Sequence, residues 1–115
     1  ALQLCQQALL KQPSSPAVLR RHGRILSGLE RHPEACESFA NALRHDPDDT
    51  GARLGLAESL NRIGRQGEAI EILKDGIRLK PTLHLTSALA DLLGVDFYDA
   101  SFEKLLIDLK ATSLE

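Results

Sequence analysis

Ala42-Leu43-Arg44-His45-Asp46-Pro47 closes an amphipathic stretch, and phrases of the same build stand 34 residues to either side. They are Ala8-Leu9-Leu10-Lys11-Gln12-Pro13 before it and Gly76-Ile77-Arg78-Leu79-Lys80-Pro81 after it. A fixed period of this size decides the architecture before any local reading, because each unit must bury its apolar face against the next. The proline of each phrase has no N–H and clashes with the preceding turn, so it stops a helix at the same point of every unit.

Between the prolines the spacing is helical. Leu19, Gly23 and Leu26, then Val18, Ile25 and Leu29, recur three or four residues apart, as do Phe39, Ala42 and Leu43. Start signals agree with this. Ser15 precedes Pro16, Pro33 follows His32, and Asp48-Asp49 precedes Thr50, while Gly64 and Gly67 bracket a turn before Glu68. The pattern predicts helices at about 1–11, 16–30, 33–45, 50–63, 67–79, 82–93 and 98–111, joined by short turns. The third unit departs from the others. A longer link, Gly94-Val95-Asp96-Phe97-Tyr98-Asp99, precedes Phe102, Leu105, Leu106 and Leu109 at helical spacing, which is the expected look of a terminal capping helix.

These units resemble the tetratricopeptide repeat, a 34-residue helix-turn-helix. In the first complete unit the small and large positions fall on Leu19, Gly23, Leu26, Ala35, Phe39, Ala42 and Pro47. In the second they fall on Leu56, Ala57, Leu60, Gly64, Ala69, Leu73, Gly76 and Pro81. Departures are His22 in a slot usually filled by leucine, and Asp91 and Gly94 where a small and a large residue are expected. The resemblance implies an all-α, right-handed α-α superhelix of about seven helices in antiparallel hairpins. One domain would cover residues 1–115: a trailing second helix over 1–15, repeats over 16–49 and 50–83, and a degenerate repeat with a capping helix over 84–115. Ala1 then falls at the first small slot of a second helix whose partner is missing. With no initiator Met, the chain is expected to be a fragment or domain of a larger protein. Leu2, Leu9 and Leu10 would pack on helix 16–30 alone.

The resemblance also implies a concave face lined by the first helix of each unit, used to hold a peptide or helix of a partner. In helix 16–30 that polar stripe is Arg20, Arg24, Ser27 and Arg31, with Arg21 alongside. The slots 34 positions on hold Leu54, Glu58, Asn61 and Arg65, with Arg62 beside them, and the third unit places Ala88 and Leu92 at the first two. The groove is expected to grade from basic through mixed polar to apolar. A guanidinium fork suits a carboxylate, so the Arg20/Arg24 end would take an acidic residue or a chain terminus of a peptide. The bland alternative is a solvated helix face, or an ion pair of Arg24 with Glu58. The clamp by which some family members hold chaperone tails is not reproduced at Arg20, Arg24, Gly55, Ala88 and Leu92. Leu85, Ala88, Leu89 and Leu92 are more apolar than one helix face needs, so they serve as core or as a surface for a partner or for self-association through the terminal helices.

Composition narrows the remaining classes. A net charge of −2 from 14 basic and 16 acidic side chains carries no polybasic arm, which argues against a nucleic-acid or membrane partner. No run reaches the ~18 apolar residues of a membrane span, and Ala1 to Leu10 lacks a signal-peptide pattern, so a soluble, cytoplasmic protein is expected. Cys5 and Cys36 lack CxxC spacing and read as small buried apolar residues. His22, His32, His45 and His84 form no metal-ligand cluster. His22 reads as a packing residue and His45 as a helix C-terminal one. Glycines occur singly, without a phosphate-loop motif. No catalytic residue, metal or cofactor is therefore expected. The reading is a non-catalytic protein-protein interaction module. Its alternative is a regulatory, recruiting or dimerising segment of an enzyme whose catalytic domain lies outside this chain.

Overall fold

A computed structural model of the chain describes residues 2–11, 15–96 and 99–113 and, among these, seven helices and no strand. The helices are α1 (Leu2–Lys11), α2 (Pro16–Gly28), α3 (His32–His45), α4 (Thr50–Arg62), α5 (Gln66–Leu79), α6 (Leu83–Leu93) and α7 (Ala100–Ser113). Pro13 and the Phe97-Tyr98 part of the expected link lie outside the described residues, as do the side chains of Leu2, Cys5 and Leu9.

Two kinds of start alternate along the chain. Ser15, Asp49 and Thr82 cap α2, α4 and α6, accepting the N–H of Val18, Ala52 and Leu85 and satisfying donors that the first turn leaves free. α3 and α5 follow arginines with no side-chain cap, and there Arg31 and Arg65, 34 residues apart, each pair with the glutamate three residues on, Glu34 and Glu68. α3 and α5 stop at His45 and Leu79, two residues before Pro47 and Pro81, as the proline rule requires. α2 stops at Gly28 rather than at 30, because Glu30 turns left-handed (φ +61°) and the Arg31 N–H reaches back to the Leu26 carbonyl at 2.9 Å. α7 starts at Ala100, two residues later than the spacing predicts.

Successive helices from α1 to α6 pack on one another, and α2 also touches α4, as α4 touches α6. Small side chains make this possible. Ala35, Ala42, Ala52, Ala57 and Ala69 are almost fully buried, and Phe39, Leu73, Ile77, Leu85 and Leu89 fill the space between them. The stack measures 47 × 29 × 18 Å with a radius of gyration of 14.9 Å, longer than the ~13 Å of a compact chain of about this size. The last unit is irregular. α6 has 11 residues against 13 in α2 and α4, and α7 lies against α5 instead of forming an extensive contact with α6. At the other end Leu10, expected against α2, is 85% exposed, because α1 is covered on one flank only.

Candidate functional site

α2, α4 and α6 touch in sequence while α3 and α5 make no comparable contact, so the stack curves with α2, α4 and α6 on its inner side. Two hollows lie on that side. The first, about 240 Å³ between α2 and α4, is lined by Arg24, Ser27, Leu54 and Glu58, with Gly51, Gly55 and the edge of Phe39 beneath. The second, about 260 Å³ between α4 and α6, is lined by Leu54, Glu58, Asn61, Ala88 and Leu92, with Ala57, Leu73 and Asp91. Leu54 and Glu58 belong to both, so the two form one track, charged at the α2 end and apolar at the α6 end.

Seven of the ten residues expected on the groove therefore line this track: Arg24, Ser27, Leu54, Glu58, Asn61, Ala88 and Leu92. The other three are placed differently. Arg20 turns to the buried carboxylate of Asp49, its Nη1 donating to both oxygens at 2.9 and 3.0 Å, so part of its fork is already engaged. The reason is the cap: Asp49 Oδ1 also accepts the Ala52 N–H at 3.1 Å, and a buried carboxylate needs its charge balanced. Arg21 is exposed at the side of α2. Arg62 lies 3.8 Å from Glu58, a loose pair within one helix, whereas Arg24 makes no ion pair among the described residues and the alternative Arg24–Glu58 pair does not form. Arg31, expected in the stripe, lies beyond the end of α2 and is held by Glu34.

The outer side carries a larger opening that the spacing alone did not single out. It measures about 830 Å³ between α3 and α5, with Leu56 and Leu60 of α4 as its floor and Cys36, Ala40 and Ile72 on its walls. Burial pushes the Cys36 thiol up, against a smaller opposing pull from Arg65, which keeps it neutral. The sequence signal for this opening is the pair of small residues Cys36 and Ala40, one turn apart on the outer flank of α3. One unit earlier the corresponding space, about 280 Å³, is polar and lined by His22, Glu34, Glu37, Ser38 and Asn41. There Ser38 donates to the Leu19 carbonyl at 2.9 Å and so accepts from His22 Nδ1–H at 3.1 Å, which leaves His22 Nε2 buried without a partner. Desolvation first, and the Arg31 charge second, hold the His22 pKa below its ordinary value, with Glu34 opposing.

A family model of the tetratricopeptide repeat matches residues 26–92, more than half of the chain, from within α2 to the end of α6. The chain belongs to the tetratricopeptide repeat family. Such repeats generally mediate protein-protein interaction and are typically non-catalytic modules. No curated protein matches the chain significantly. The positions that carried the resemblance are the buried ones: Leu19, Gly23, Leu26, Ala35, Phe39 and Ala42 in the first repeat, and Leu56, Ala57, Leu60, Ala69, Leu73 and Gly76 in the second. Among the described residues no group of three or more His, Cys, Asp or Glu side chains could hold a metal ion, and no helix is long and apolar enough to cross a membrane.

Proposed function

We propose that this tetratricopeptide repeat chain is a non-catalytic module that holds a peptide or helix of another protein along its inner track. The observation that carries the reading is the continuity of the two inner hollows through Leu54 and Glu58. A ligand lying across them meets an Arg24 guanidinium with no internal ion pair at one end and Ala88 and Leu92 at the other. This favours an acidic residue or C-terminus one or two positions from an apolar side chain. Arg20 and Arg21 add positive potential beside Arg24.

In this reading residues 16–49 and 50–83 are the two full repeats and 84–115 is a shortened third unit. A cytoplasmic setting goes with the free, buried thiol of Cys36. Exposed Leu4, Leu10 and Ile107 at the two ends support self-association through the terminal helices.

The test is selection of 12-residue peptides on the immobilised chain, followed by calorimetry with Arg24→Glu and Leu92→Arg variants. Selected peptides should combine an acidic with an apolar residue, and each variant should weaken them at least tenfold. Peptides bound equally by both variants would overturn the inner-track reading.

A further inference from the structure

The outer opening between α3 and α5 is three times the volume of either inner hollow and lies on the opposite side of the stack. At about 830 Å³ it falls in the ~300–1,000 Å³ range of ligand sites. Leu56 and Leu60, one turn apart on α4, form its floor, so it is a trench running between two helices rather than a closed cavity.

Two observations say what would lie in it. The first is α7. This helix already lies on α5, burying Phe102 and Leu109, two turns apart, to 2% and 4% exposure. The α3-facing flank of α5, which carries Ile72, has no such cover. The second is charge. The rim carries Glu37, Glu68 and Glu71 against a single cation, Arg65, which is bonded to Glu68 at 2.7 and 2.9 Å. Lys74 reaches only to 3.7 Å from Glu71, and Glu37 has no ion pair among the described residues. Glu37 and Glu71 stand 34 residues apart, so the repeat itself sets one carboxylate in the same register on each side of the trench.

We propose that this trench docks a basic amphipathic helix of a partner protein, its apolar side chains two turns apart on Leu56, Leu60 and Ile72 and its lysines or arginines against Glu37, Glu68 and Glu71. A helix suits the trench because its apolar stripe follows the gap while the flanking positions of each turn face the two acidic rims. The rim charges set orientation and association rate, and the apolar floor supplies most of the affinity. This surface is separate from the inner track, so the chain can hold two partners at once.

The probe is an 18-residue synthetic helix with leucines at positions i, i+4, i+7 and i+11 and lysines elsewhere, titrated into the isotope-labelled full chain and followed by amide chemical shifts. A second peptide has glutamate in place of every lysine. Shifts should concentrate on Cys36, Ala40 and Ile72. The glutamate peptide should not bind, and the Glu37→Lys/Glu71→Lys chain, altered only at exposed positions, should bind the lysine peptide at least tenfold more weakly. Absence of binding at millimolar peptide, equal binding of both peptides, or unchanged affinity in the double variant would each overturn the proposal. Shifts confined to Arg24, Leu54 and Leu92 would overturn it as well while supporting the inner track. Failure of the inner track is read separately, from Arg24→Glu with the selected peptides.

Discussion

Gly55 of α4 lies so close to the ring of Phe39 in α3 that a methyl group on it would overlap the ring. The other face of the ring is met by Gly23 of α2, where an added Cβ would stand 2.9 Å from two ring carbons. Phe39 is 1% exposed and fills the junction of three helices, so it has little freedom to give way. Gly55→Ala should therefore destabilise the fold by about 1–3 kcal/mol, the usual cost of overpacking, despite the better helix propensity of alanine. Gly28→Ala is the control. No atom lies within 4 Å of a Cβ there, and the same substitution should be neutral or stabilising by up to about 1 kcal/mol. Urea denaturation of the two variants separates the outcomes by sign.

Arg53 is a second close contact with a glycine. It is 7% exposed, lies against Gly76, and donates through Nη1 to the Ile72 carbonyl and through Nη2 to the Pro47 carbonyl, both at 3.0 Å. Burial lowers its pKa, which Asp75 and Asp48 oppose, but guanidinium remains charged at any ordinary pH. Two carbonyls at different points of the chain need the two arms of a fork. Arg53→Lys should lose one of them and cost about 1–2 kcal/mol, and Arg53→Ala, which also removes the packed stem, about 2–4 kcal/mol. Chemical denaturation that ranked lysine equal to arginine would show that the fork is not used.

The pH dependence of stability should carry a signature of His22. Its folded pKa lies below the unfolded value of 6.5, so the unfolded chain binds the extra proton first on acidification. Stability from this group is complete above about pH 6.5 and falls as the pH drops below it. The loss levels off once the pH is below the folded pKa. Leucine fills the same slot one unit later, as Leu56, and His22→Leu removes the unpartnered Nε2 without touching the bond from Ser38 to the Leu19 carbonyl. Thermal melts at pH 7.5 and 5.5 should show a smaller drop for His22→Leu than for the parent chain. An equal drop would assign the acid sensitivity elsewhere.

Much of this was legible because the chain repeats its own grammar. Prolines at one register, a capping Ser, Asp or Thr after each, and small residues facing Phe39 and Leu73 mark the helices and their stacking without any tertiary information. The polar stripe on α2, α4 and α6 was equally readable, since 34-residue spacing maps equivalent slots onto one another. What the spacing hides is how side chains choose among partners. Arg20 looked as available as Arg24 until the burial of Asp49 gave it an internal carboxylate, and Arg53 stands in the slot of Leu19, where its polar head finds two carbonyls that no periodicity reveals. The outer trench depends on α3 and α5 diverging, a property of curvature rather than of either helix. The shortened third unit is visible afterwards in one number: left-handed turns fall at Glu30, Gly64 and Gly94, 34 and then 30 residues apart, so α6 stops about one helical turn early.

The first of those turns also carries strain that its counterpart avoids. Glu30 and Gly64 end α2 and α4 in the same way: Arg31 N–H donates to the Leu26 carbonyl at 2.9 Å and Arg65 N–H to the Leu60 carbonyl at 2.8 Å. Both turn residues have positive φ, +61° and +83°, yet only one is glycine. A glutamate there brings its Cβ against the following carbonyl, a cost of about 1 kcal/mol that glycine does not bear. The side chain of Glu30 is exposed and makes no hydrogen bond or ion pair among the described residues, so nothing offsets that cost. Glu30→Gly should stabilise the fold by about 0.5–1 kcal/mol, a rise in Tm of a few degrees, and Gly64→Glu should destabilise it by a similar amount. The double exchange, which moves the glycine from one turn to the other, should leave Tm nearly unchanged if the two turns are energetically equivalent. A fall in Tm for Glu30→Gly alone would show that the glutamate serves the turn in some way other than its backbone geometry.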